Sequence, residues 1–132
     1  MTLNEYRDKI HENAVAHGWW DEERSFGDIV ALCHSELSEA LEEYRSGRPM
    51  EWNKCAVSDN ACEPGKYHYT VHCCKGCGNR QEKPEGIAVE MADCIIRILD
   101  WCGKEGVDID RIVQEKMAYN ETREYRHGGK KL

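Results

Sequence analysis

The sequence predicts an all-α protein: a four-helix-bundle-type protomer with a Cys-rich insertion between its second and third helices. Three observations carry this expectation. Four stretches repeat apolar residues at helical spacing and have recognisable start and stop residues. The chain has 132 residues, 40% of them hydrophobic, which suits one compact core over residues 1–132 rather than two. Only one Phe and three Pro are present, which argues against a sandwich of short strands, while five of the eight cysteines crowd between Cys55 and Cys77.

The first helix is expected from Thr2 to His17, where Thr2 and Glu5 have capping-box spacing and Gly18 follows the end. The second is expected from Ser25 to Ser46, opened by Ser25 and Asp28 and stopped by Gly47. The third is expected from Glu85 to Cys102, after Pro84 and before a stop at Gly103. The fourth is expected from Asp108, a good N-cap residue, to Tyr125. Residues 126–132 form a basic tail. Residues 48–83 read as the insertion, with a strand-like run from Tyr67 to Val71. A structureless loop of that length is uncommon, so something is expected to order it.

Charge and hydropathy narrow the function. Asp and Glu number 25 against 18 Lys and Arg, a net charge of -7, whereas a duplex-DNA binder carries a basic footprint. No apolar stretch approaches the ~20 residues of a bilayer span, and the first five residues lack a signal peptide's apolar region. No membrane or duplex nucleic-acid partner is expected, and the expected location is cytoplasmic. In a reducing compartment a cysteine cluster points to metal before disulfides.

The acids are placed for chemistry. On a helical wheel Glu90, Asp93, Arg97 and Asp100 fall within about 80° of arc. The rest of the third helix is so apolar that it is expected to be buried, with its acids facing a shared interior or cleft. On the second helix Glu36, Glu39 and Glu43 share a narrow arc beside an apolar stripe of Ile29, Cys33, Leu37, Ala40 and Tyr44, while Glu42 and Arg45 face solvent. If the two arcs meet, Glu36, Glu39, Glu90 and Asp93 converge. Like charges about 4 Å apart repel by ~4 kcal/mol at an effective dielectric of 20, so such a group calls for a cation. Hard oxygen donors suit Mg²⁺ or Mn²⁺, and Mg²⁺ commonly completes its shell with substrate phosphates. Taken alone, Glu36 and Glu39 also fit a solvated helix face. Lys116, Asn120 and Arg123, at i, i+4, i+7 on the fourth helix, suit phosphate oxygens or a sugar hydroxyl, and Lys116 and Arg123 equally suit ion pairs across a bundle.

Glu36-Leu37-Ser38-Glu39-Ala40 with Glu90-Met91-Ala92-Asp93 resembles the E-x-x-E … E-x-x-D signature of the MazG-like, all-α nucleotide pyrophosphohydrolases. The runs Lys83 to Asp100 and Glu115 to Arg123, and the following Tyr125 to Lys130, are similar to that family too, so the likeness covers about residues 1–47 and 83–132. It implies cleavage of a (deoxy)nucleoside triphosphate to the monophosphate and pyrophosphate, with Mg²⁺ on Glu36, Glu39, Glu90 and Asp93. It implies phosphate or sugar contacts from Lys116, Asn120 and Arg123, and a homodimer or dimer of dimers with the site near the subunit interface. Glu39 and Glu43 are the candidates for general base. Asn13, His17, Trp19 and Trp20 are candidates to hold base and sugar, although the two tryptophans equally suit a cap on the core.

The insertion departs from that family pattern. Cys73-Cys74-Lys75-Gly76-Cys77 holds a C-x-x-C, with Cys55 and Cys62 upstream, and four of these five thiols suit a structural Zn²⁺. His68 and His72 are substitute ligands, and free thiols or a disulfide are the plain alternatives. Cys33, Cys94 and Cys102 fall on apolar arcs and read as core residues. Two further functions fit parts of the pattern: a non-catalytic zinc-binding interaction module on a helical dimer, and a phosphoribosyl-nucleotide pyrophosphohydrolase. A module without activity has no need of all four acids on apolar-flanked arcs, which favours the enzyme.

Overall fold

The computed structural model describes residues 1–54, 83–125 and 131. Cys55, Cys62, Cys73, Cys74, Cys77, His68, His72, the 67–71 run and residues 126–130 of the tail lie outside the described residues. The chain is mostly helical: α1 (Leu3–Ala16), α2 (Phe26–Arg45), α3 (Ile87–Lys104) and α4 (Ile109–Glu121), with a two-stranded antiparallel ribbon of β1 (Trp52–Lys54) and β2 (Lys83–Glu85). It divides into two compact units, residues 1–23 with 99–132, and residues 24–98.

In the first unit, α1 and α4 are tied by their own N-termini. Thr2 Oγ1 accepts from Glu5 N, and Glu5 Oε2 accepts from Thr2 N, closing the expected capping box. Asp110, in the first turn of α4, accepts from the backbone N–H groups of Leu3 and Asn4. Asn4 in return accepts from Ile109 N and donates to Asp108. A helix starts with unpaired N–H groups and a partial positive charge, so a carboxylate from the neighbouring helix satisfies both. Asp108 also caps its own helix, accepting from Arg111 N.

The second unit holds α2, the ribbon and the first turns of α3. Ser25 and Asp28 form a second capping box, whose hydrogen bonds to Ser25 hold the Asp28 carboxyl below its usual range. Gly47 ends α2 with φ +68. The ribbon places Trp52 opposite Glu85 and Lys54 opposite Lys83. Trp52, Ile29, Ala40 and Cys94 are the buried apolar residues of this unit among those described.

Four expectations need correction. The third helix begins at Ile87, because Lys83–Glu85 is a strand and Gly86, at φ +117, turns the chain into the helix. It also runs through Gly103; the stop is Gly106, at φ +65. Gly103 serves another purpose there, since a Cβ on it would meet His11 Cβ at 2.5 Å. The fourth helix ends at Glu121, where the Thr122 hydroxyl donates back to the Tyr119 carbonyl, so Arg123 lies beyond the helix that would align it with Lys116 and Asn120. Finally, α3 is not buried all round: Met91, Ile95, Ile96 and Ile98 are exposed, as are Leu37 and Tyr44 on the α2 stripe. An apolar circumference that wide exceeds what its described neighbours in the same chain cover.

Candidate metal centre

Three of the four expected acids come together in the second unit. Carboxylate oxygens of Glu36, Glu39 and Glu90 all lie within 4.8 Å of one another, and they form the one such cluster among the described residues. Glu36 and Glu90 are buried, at 5% exposure each, and Glu39 is exposed. Burial follows from register. Glu36 lies one turn before the buried Ala40 on α2, and Glu90 one turn before the buried Cys94 on α3.

Electrostatics record the crowding. Burial pushes the Glu90 carboxyl up to about 7, helped by the charge of Glu39, a hydrogen bond with Glu85 and the charges of Glu85 and Asp93. Asp93 is half-buried and stands outside the set of three. Its carboxyl is also pushed up, first by burial and then by Glu36, while Lys83 and Arg97 pull it down. Arg97 Nε donates to Glu36 Oε1 at 2.5 Å, partly offsetting the cost of burying that charge. The donor set is all oxygen, carboxylate-rich and partly desolvated, which fits a hard divalent cation and not a soft one.

Two residues at this centre were not legible as members from spacing alone. Glu85, expected as the first residue of a helix, sits on β2, hydrogen-bonds with Glu90 and accepts from Lys83 Nζ at 2.7 Å. Arg97 fell on the charged arc of α3 without an assigned role. The pair Pro84 and Gly86 around Glu85 was the available signal: neither favours a helix continuing through that point.

The remaining candidates lie on other stretches of the chain. Glu43 is half-buried and accepts from Trp52 Nε1 at 2.7 Å. Glu42 and Arg45 are exposed, as expected, and they pair with each other at 3.3 Å. Asn13, His17, Trp19, Trp20, Lys116, Asn120 and Arg123 belong to the first unit. There His17 Nδ1 lies 2.8 Å from the Asn13 carbonyl, and Lys116 Nζ sits 4.8 Å from the centre of the Tyr119 ring. Trp20 Nε1 donates to both oxygens of the buried Asp100, at 2.9 and 3.2 Å, and His11 Nδ1 lies 2.7 Å from the same carboxylate. Asp100, grouped with the acids of α3 by its arc, is thereby satisfied within its own unit. Cys94 and Cys102 are buried and Cys33 is half-buried; burial pushes the Cys33 thiol up, and Cys94, in hydrogen-bond contact with it, adds to the rise.

Comparison with protein-family models, with curated proteins and with solved structures returns no match to this chain. No helix among the described residues is long and apolar enough to cross a membrane.

Proposed function

We propose that the chain is a Mg²⁺-dependent nucleotide pyrophosphohydrolase, cleaving a nucleoside or deoxynucleoside triphosphate to the monophosphate and pyrophosphate. The observation that carries this reading is the set of Glu36, Glu39 and Glu90 oxygens within 4.8 Å of one another, two of the three side chains buried. Its order in the chain, E-x-x-E on α2 and E-x-x-D on α3, is the pattern through which the sequence resembles the MazG-like enzymes. Glu36, Glu39 and Glu90, with Asp93 beside them, would hold Mg²⁺ or Mn²⁺. When bound, the ion offsets charge on the phosphate oxygens and the departing pyrophosphate.

The chain's own residues do the rest. Attack of water at the α phosphorus breaks its bond to the bridging oxygen, and the water's proton passes to a carboxylate. Glu39 is the exposed acid of the three and is assigned that role; Glu43 is second, since its carboxylate already accepts the Trp52 indole hydrogen. Lys116, Asn120 and Arg123 are proposed for phosphate or sugar, and Asn13, His17, Trp19 and Trp20 for base and sugar. The bundle arrangement of the four helices, a homodimer, a zinc knuckle among Cys55, Cys62, Cys73, Cys74 and Cys77, and a cytoplasmic location belong to the same proposal.

A panel of nucleoside triphosphates incubated with Mg²⁺ and followed for pyrophosphate tests it. Release is expected for at least one of them. Glu90→Gln is expected to lower it at least 100-fold with the helical circular dichroism unchanged. Undiminished turnover in that variant rejects the assigned centre.

A further inference from the structure

Lys83 is a charged group beside the centre to which the proposed reaction assigns no task. Its position is built by the backbone. The ribbon register sets Glu85 opposite the buried Trp52. Gly86 then turns the chain with φ +117, so close to Met50 that a Cβ there would meet the Met50 carbonyl oxygen at 2.5 Å. The Met50 carbonyl in turn accepts from Ala88 N at 2.9 Å, fixing the first turn of α3 to the segment before β1. This brings Glu85, with a side chain 12% exposed, into hydrogen-bond contact with Glu90 on one side and Lys83 Nζ, at 2.7 Å, on the other.

The charges around it are unbalanced. Among the described residues, the acids Glu36, Glu39, Glu85, Glu90 and Asp93 are met by the cations Arg97 and Lys83. They differ in kind. Arg97 is a planar fork, half-buried and committed to Glu36. Lys83 is a point charge on a flexible stem, with a side chain 70% exposed. It meets Glu85 directly, and the fields of Glu90 and Asp93 reach it as well.

We propose that Lys83 is a tethered counter-cation of the carboxylate centre, which a divalent ion displaces, and that it thereby sets the centre's divalent affinity. The inference rests on the metal reading of Glu36, Glu39 and Glu90. Lys83 is a positioning residue in this scheme, acting through Glu85 and the charge of the cluster. An exposed ion pair is weak, so Lys83 tunes binding and does not block it. One unit charge about 8 Å from a divalent ion in hydrated surroundings changes affinity by about fivefold, and by less as salt rises.

Titration of the full-length chain with Mn²⁺, with free ion read by electron paramagnetic resonance, tests this without any turnover. Lys83→Met is expected to bind Mn²⁺ about fivefold tighter than the unaltered chain at low ionic strength. Lys83→Arg, which keeps the charge, is expected to stay within about twofold. A damaged fold loosens the ion and cannot tighten it, so the sign separates the proposal from a structural role. Equal or weaker binding by Lys83→Met overturns it, as does equal tightening by Lys83→Arg. An unaltered chain that binds no Mn²⁺ overturns the metal reading itself, a result distinct from failure of the Lys83 proposal.

Discussion

Glu36, one of the two buried acids of the cluster, pairs with Arg97, and their pairing has a measurable consequence. A buried carboxylate stripped of its partner is costly, and Arg97 is 30% exposed, so part of the loss is recovered by water. Arg97→Met is expected to lower stability by about 2 kcal/mol, read by urea denaturation, and Mg²⁺ is expected to stabilise that variant more than the unaltered chain, because the ion supplies the missing positive charge. Glu90 makes a separate prediction about pH. Its folded carboxyl titrates at about 7, above the ordinary value of 4.5. Between those values the folded state holds more protons than the unfolded one. Stability from this group is therefore full below 4.5 and is lost as pH rises through about 7. Asp93, pushed in the same direction, adds to the slope. Melting temperatures from pH 5 to 8 without added divalent ion are expected to fall with rising pH. Mg²⁺ and Glu90→Gln are each expected to flatten the trend.

At the scale of elements, two glycines show where general propensity and local packing oppose each other. Gly103 lies inside α3, where alanine is ordinarily favoured by about 1 kcal/mol. A Cβ there would meet His11 Cβ at 2.5 Å and the Arg7 carbonyl at 3.3 Å, and neither atom is the far end of a flexible side chain. The clash outweighs the propensity, so Gly103→Ala is expected to destabilise by about 2 kcal/mol, measured by chemical denaturation. This is also why Gly103 reads as a helix stop in sequence: its use comes from α1, more than ninety positions away, which periodicity does not see. The capping boxes at Thr2 and Ser25 were legible because both partners lie within four residues of each other. So were the E-x-x-E and E-x-x-D spacings, since helical geometry alone places Glu36 with Glu39 and Glu90 with Asp93. The β ribbon was not legible, since Trp52–Lys54 and Lys83–Glu85 are three-residue strands whose pairing is fixed across the insertion. Glu85 shared that fate and so escaped notice as a neighbour of Glu90.

For the whole molecule, the exposed apolar side chains are the feature that the described residues of one chain leave unexplained. Phe26, Leu37, Leu41 and Tyr44 on α2, and Met91, Ile95, Ile96 and Ile98 on α3, are each more than 40% exposed. Single exposed hydrophobics are common, but runs along two helices of the same unit are not typical of a monomer. Covering them with a second copy removes that area from water at roughly 25 cal/mol per Å², less the cost of association. Light scattering is expected to give a mass of at least twice the 15.3 kDa of the single chain. Charges placed on the apolar runs, Leu41→Glu with Ile95→Glu, are expected to shift it toward 15.3 kDa while leaving the helical circular dichroism in place. Neither residue belongs to the carboxylate cluster. Mn²⁺ binding by that double variant therefore separates two arrangements: retained affinity means that the centre is complete within one chain, and lost affinity means that the second copy is needed to hold α2 and α3 in register. The buried positions of Glu36 and Glu90 within a single unit favour the first outcome.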